Sequence, residues 1–125
     1  MKIVDAGPGS GIELTAFAST GVRHVRIHAG TDGAFSAGLM HLAPGGRIGR
    51  HEATLPQVLA VLSGEGYVSG ADGLPHPISA GQAACWSPGE EHETWSGGTG
   101  LTAFVVEAET PHTAGLLGRV LHDEE

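Results

Sequence analysis

The chain has 125 residues, enough for one domain with a single core, and it carries 14 acidic against 6 basic side chains, a net charge of −8. That balance offers no basic patch, which excludes a nucleic-acid binder or a protein held to anionic lipid. The single cysteine, Cys85, rules out an internal disulfide. Residues 1–5 lack the apolar run of a signal peptide, and no stretch approaches the roughly 18 apolar residues of a membrane span. The expectation is a cytoplasmic protein with no membrane contact.

In chain order, residues 1–20 are small, polar and Gly-rich, an N-terminal arm or edge strand, with a first strand near Ile12, Glu13 and Leu14. Residues 22–29 alternate: Val25, Ile27 and Ala29 face one way, His24, Arg26 and His28 the other. Gly30-Thr31-Asp32-Gly33 is a turn. Residues 34–42 form a strand closed by Ala43-Pro44-Gly45-Gly46, and residues 48–54 a short extended piece. Residues 57–63 are apolar on both faces and predict a central strand. Gly64-Glu65-Gly66 is a turn, Tyr67-Val68-Ser69 returns, and Gly70-Ala71-Asp72-Gly73 is a hairpin tip. Brief strands follow at 77–79 and 83–87, then a Pro88-Gly89 turn and residues 92–95. Gly97-Gly98-Thr99-Gly100 is another tip before the strand 101–107. The one helical candidate is Thr113 to Leu121. Many short strands, with 21 glycines and 7 prolines spread between them, predict an all-β sandwich or barrel in a single domain over 1–125.

Eight histidines are more than a core needs, which raises metal or acid/base chemistry. Two stretches carry the pattern. Gly45, His51, Gln57 and Gly64 are spaced as a glycine, a histidine, a polar side chain and a glycine. Gly81, Gly89 and His92 repeat a Gly/Pro turn ending in a histidine. In a strand alternate residues share a face, so His51 sides with Ala53, Gln57 with Leu59 and Val61, and His92 with Thr94 and Ser96. Glu52 and Glu93 then point away.

These stretches resemble the two half-motifs of the cupin superfamily, in the form of a small single-domain cupin with a degenerate first motif. The resemblance covers about residues 33–107 and implies an antiparallel jelly-roll barrel in which the motif side chains converge. The first half-motif would carry a second histidine and a glutamate where this chain has Ala53 and Gln57. In the second, Ser87 replaces a proline and Ser96 an asparagine. The implied metal ligands are His51, Gln57 and His92, holding a divalent transition metal (Zn, Fe, Ni, Cu or Mn) with open positions and no ligand charge. The alternative is a barrel that has lost the metal, with both histidines hydrogen-bonding in an apolar ligand pocket; Ala53 favours it, and the long polar Gln57 argues against it.

Leu59, Val61, Trp86 and Phe104 are the expected pocket walls, with His41 a further candidate. His24 and His28 read as a solvated or partner-facing surface. His76, His112 and His122 read as exposed, and Cys85 as a buried, inert thiol. The resemblance implies a metal-dependent enzyme acting on a small organic molecule by oxygenation, isomerisation or cyclisation. The alternative is a non-catalytic small-molecule sensor or carrier. Strands apolar on both faces lead us to expect a homodimer.

Overall fold

The computed structural model describes residues 1–109 and 119–123. Seven strands form one antiparallel sheet: β1 (Ile12–Glu13), β2 (Thr20–Ala29), β3 (Phe35–Glu52), β4 (Gln57–Ser69), β5 (His76–Ser79), β6 (Ala83–Trp86) and β7 (Glu91–Ala108). Their order is β1-β2-β3-β7-β4-β5, with β6 paired to β4. This is the expected all-β jelly-roll barrel. The helix expected from Thr113 falls mostly on residues outside the described ones, and residues 119–121 are not helical.

Three predicted turns are not strand ends. β3, β4 and β7 run through the 43–46, 64–66 and 97–100 stretches as continuous strands of 18, 13 and 18 residues. Each stretch is instead a corner where the register shifts or the strand bends and changes partner. Thus the first part of β4 pairs β6 (Gln57 to Ala60) and its second part pairs β5 (Glu65 to Val68). Glycine makes the corner possible. Gly64 and Gly100 both sit at φ +81°, and a Cβ on Gly64 would run into the Gly100 carbonyl. Two corners therefore lie back to back, and any side chain there would force them apart.

The corners fold the sheet onto itself and give it an inner face that can be read row by row from the register. Val22, Leu42 and Leu101 form one row; His24, Met40, Ala103 and Val61 the next; then Arg26, Gly38, Val105, Leu59 and Ala84; then Ser36, Glu107, Gln57 and Trp86. The opposing half contributes Ile48, Thr94, Val68 and Ile78. Val22, Leu42, Ile48, Leu59, Val61, Val68, Ile78, Trp86, Leu101, Ala103 and Val105 pack as the core, each larger aliphatic side chain stabilising the fold by about 1.5–3 kcal/mol. The apolar rows fill one end, and the polar row lies at the other. The Trp86 indole N–H donates to the Ser69 carbonyl at 3.1 Å, tying β6 to the far part of β4 across the barrel.

Candidate functional site

His51 lies one residue before the end of β3 and His92 one residue after the start of β7, and the two are register partners. Their rings stand 4.3 Å apart, centroid to centroid. Each is fixed by its own backbone. His51 Nδ1 lies 2.7 Å from the Gly49 carbonyl and His92 Nδ1 lies 3.2 Å from the Glu90 carbonyl. A carbonyl oxygen only accepts, so in both rings Nδ1 carries the proton and Nε2 keeps a lone pair. His92 is 2% exposed, and its Nε2 has no hydrogen-bond partner among the described residues. A buried, unsatisfied acceptor is costly unless something fills it. Imidazoles that donate Nδ1–H to a carbonyl and offer Nε2 inward have the arrangement found in metal-bound histidines.

The turn beneath His92 is built to hold this geometry. The Glu90 carbonyl also accepts from Ala53 N–H at 2.9 Å, and Gly89 N–H donates back to the Ala53 carbonyl. The Glu90 carboxylate caps two turns, accepting from Ser87 N–H and Ala71 N–H. Glu93 pairs with Arg47 at 3.1 Å, as its outward direction predicts, and Glu91 pairs with Arg50 at 3.4 Å. Ala53, at the degenerate motif position, is buried.

Gln57 is buried beside its register partners Trp86 and Glu107. Its side-chain amide donates Nε2–H to Glu107 Oε1 at 2.5 Å. Because a carboxylate only accepts, this contact fixes the amide and leaves Gln57 Oε1 as a free acceptor. Trp86 bridges the two parts of the site, its ring 4.4 Å from that of His92. The Glu107 charge is felt at His92 and at His24 alike. Burial holds the His92 imidazole below its ordinary pKa; repulsion from His51 adds to this, and the Glu90 carbonyl with the Glu90 and Glu107 charges opposes it.

Glu107 is the residue that reasoning from the motif missed. The site is therefore not free of charge, because a carboxylate stands behind the amide. Leu101, Ala103 and Val105 alternate inward, and the same parity carried two residues further places Glu107 inside.

Leu59 and Val61 line the inner face and Trp86 flanks His92. Two of the expected pocket residues do not. Phe104 pairs with Leu39 and Ala60 on the outward face, between the buried Ala103 and Val105. His41 is also outward, paired with Thr102, with Nε2 held by the Ala6 carbonyl at 2.8 Å under the N-terminal arm. His24 is corrected in the other direction: it is half-buried and shares its row with Met40, Ala103 and Val61. Cys85 is exposed rather than buried, although partial burial of the thiol raises its pKa. His76 is half-buried, its ring stacked 4.0 Å from that of His122; His112 lies outside the described residues.

The arm covers the mouth. The Phe17 ring lies flat on the His51 imidazole, 4.2 Å away with 5° between planes. Phe17 and Ala18 both hold positive φ, at 60° and 57°, conformations that store about 1 kcal/mol or more each. Ser19 Oγ anchors the arm by accepting from Gly49 N–H at 3.0 Å. Gly49 has no side chain to spare here, since a Cβ would overlap the Phe17 carbonyl.

Among the described residues no three His, Cys, Asp or Glu side chains are grouped to hold an ion. A metal at His51 and His92 would need a third donor of another kind, which the Gln57 amide oxygen provides. The residues fit such an ion through the partnerless Nε2 of His92. Among the described residues no helix is long and apolar enough to cross a membrane.

Known proteins of similar structure agree with this architecture. A cupin-like protein from Thermotoga maritima superposes with a TM-score of 0.73 at 18% identity, over 88% of this chain and 83% of that one. A Cupin 2 conserved barrel domain protein from Salinispora arenicola gives 0.70 at 18% identity, over 88% and 90%. A predicted oxalate decarboxylase from Thermotoga maritima gives 0.65 at 24% identity, over 71% and 81%. Among curated proteins nothing matches the chain. The Cupin_2 family model, described as Cupin domain, matches residues 38–107, more than half of the chain and the span that carries His51, Gln57, His92 and Glu107, so the chain belongs to the cupin family.

Proposed function

We propose that this cupin is a small metal-dependent enzyme, holding a divalent transition metal on His51 Nε2, His92 Nε2 and Gln57 Oε1. The observation that carries the reading is the buried Nε2 of His92, without a partner among the described residues and facing a second imidazole of the same tautomer. When bound, the metal would act as a Lewis acid toward a small organic molecule. The chain's own part is positional. The Gly49 and Glu90 carbonyls set the imidazole tautomers, Glu107 aims the Gln57 amide, Trp86 shields His92, and Phe17 covers His51 from solvent. Zinc, iron, nickel, copper and manganese all suit this donor set.

A second reading, a ligand-binding barrel without turnover, is favoured because among the described residues no third histidine or carboxylate groups with His51 and His92. Metal analysis separates the two. Protein prepared without an affinity tag and reconstituted with zinc or cobalt is expected to hold about one ion per chain. A wild-type protein that takes up no metal contradicts the enzyme reading.

The expected homodimer rests on the outward face of β4 and β7, where Val58 and Leu62 are exposed beside Phe104 and Val106. A second copy would cover this apolar stripe on adjacent strands. Light scattering is expected to give twice the chain mass and to fall to the chain mass in Leu62→Glu; a wild-type monomer at micromolar concentration contradicts it.

A further inference from the structure

Four arginines lie on strands: Arg23 and Arg26 on β2, Arg47 and Arg50 on β3. Three are committed. Arg23 donates to the Pro8 and Gly11 carbonyls. Arg47 pairs with Glu93, and Arg50 pairs with Glu91 and bonds Ser69, Gly70 and Ala71. Arg26 has no hydrogen bond and no ion pair among the described residues, in a chain with 14 acidic side chains to 6 basic ones.

By strand parity Arg26 falls on the inward row, at its open end, where the side chain is exposed. No register shift separates it from Val22, which is in the deep core, and the residues share parity. Its partner across the ladder is Gly38, and beyond that lie Val105 and Leu59. Gly38 must be glycine, because a Cβ there would collide with the Val25 carbonyl and crowd His24 Nε2 at 3.1 Å. The His24 imidazole lies over Gly38 in the place a side chain would take, next to the Arg26 backbone. The row lies one two-residue step from Gln57 and Glu107, about 7 Å along the strands. His24, half-buried one step deeper, feels both the Arg26 cation and the Glu107 carboxylate. The inward row of β2 thus carries an exposed guanidinium at its rim and a half-buried imidazole one step deeper, in the barrel that also holds the buried Nε2 of His92. Glu107, the nearby carboxylate, is occupied by Gln57.

We propose that Arg26, seconded by His24, is the anion-recognition arm of this barrel, and that the substrate or ligand is a small carboxylic acid whose carboxylate meets the guanidinium while its other end lies toward His51 and His92. A planar guanidinium binds a carboxylate through two parallel hydrogen bonds, which fixes orientation as well as charge. The inference rests on the metal reading above for the far end of the ligand, but the Arg26 contact is independent of it.

The test titrates the full chain, metal-free and cobalt-loaded, with acetate, malonate, succinate and benzoate and with their neutral amides. Wild type is expected to bind at least one of these acids tenfold or more tighter than its amide. Arg26→Gln is expected to lose that preference while taking up cobalt as wild type does, and Arg26→Lys to keep part of it. Equal affinity of Arg26→Gln and wild type for the acid overturns the proposal. So does a wild type that binds cobalt but discriminates against none of the amides. Acid binding that depends on Arg26 in a protein unable to take up cobalt upholds the proposal and removes the metal reading instead.

Discussion

Gln57→Glu is expected to destabilise the metal-free protein by about 2 kcal/mol, the loss of a hydrogen bond to a charged group plus the cost of opposing two carboxylates. The partner is Glu107, which now accepts the Gln57 amide hydrogen directly. Two carboxylates in that contact share a proton or separate, and either outcome weakens the β4–β7 ladder where Gln57 and Glu107 are register partners. Thermal unfolding should drop by roughly 5–10 °C. The double substitution Gln57→Glu/Glu107→Gln rebuilds the pair in the reverse sense, with the amide at 107 donating to the carboxylate at 57. Stability is then expected to return to within about 1 kcal/mol of wild type, a coupling that a double-mutant cycle isolates. The same double variant should bind zinc or cobalt about tenfold more tightly, because an anionic ligand replaces a neutral one. Unchanged stability in the single variant would mean that the amide–carboxylate pair does not form. Unchanged metal affinity in the double variant would remove Gln57 from the ligand set.

His92→Phe is expected to abolish metal uptake, with at least a hundredfold loss of affinity, while leaving stability within about 1 kcal/mol of wild type or raising it. The reasoning is that a buried polar atom without a partner costs more than an apolar group of similar shape. The Glu90 carbonyl freed by the change keeps its bond from Ala53 N–H, and the new ring would pack on Trp86 as the imidazole does now. The pH dependence should change as well. Burial first, and then repulsion from His51, hold the folded-state pKa of His92 below 6.5. The unfolded chain therefore takes up a proton more readily, so the contribution is intact above pH 6.5 and is lost as pH falls through the folded value. His24 behaves in the same way, lowered by burial and by Arg26. His92→Phe should shrink the acid loss of stability without removing it, as followed by unfolding between pH 7.5 and 5. If His92 served the fold alone, the phenylalanine variant would be markedly less stable at pH 7.5.

Much of the barrel was legible because period-2 alternation survives wherever one face is buried and the other wet. The parity of Val22, His24 and Arg26 was readable from residues 22–29, but its direction was not. A row of His24 and Arg26 looks like a solvent face; the pairing with Leu42, Met40 and Gly38 puts it on the inward row, with His24 half-buried and Arg26 still exposed at the rim. The same ambiguity displaced Phe104. In Ala103-Phe104-Val105-Val106 both faces are apolar, and size suggests burying the phenylalanine. The narrow interior takes Ala103 and Val105 instead, and the large ring goes outside. His41 failed for the same reason, compounded by the N-terminal arm, whose path along the surface no local pattern announces. The corners at 43–46, 64–66 and 97–100 have the composition of turns because positive φ requires glycine at a bulge as it does at a hairpin. Local composition marks where the chain bends and leaves open whether the strand stops there.

Of the site, His51 and His92 are marked by the Gly/Pro turns before them, and the resemblance to the cupin half-motifs supplies Gln57, at the position of the motif's glutamate. Glu107 lies outside both half-motifs, and its role depends on a contact with Gln57, 50 residues away in sequence. The Phe17 cover was equally hidden, resting on two consecutive positive-φ residues that no sequence preference favours.

The measurement that bears most directly on the metal centre is anomalous diffraction from crystals of the cobalt-loaded protein. One ion is expected, bonded to Nε2 of His51, Nε2 of His92 and Oε1 of Gln57, at about 2.0–2.2 Å from each, with Glu107 still holding the Gln57 amide from behind. An ion bound elsewhere, no ion at all, or an ion on Glu107 with Gln57 turned away would contradict it.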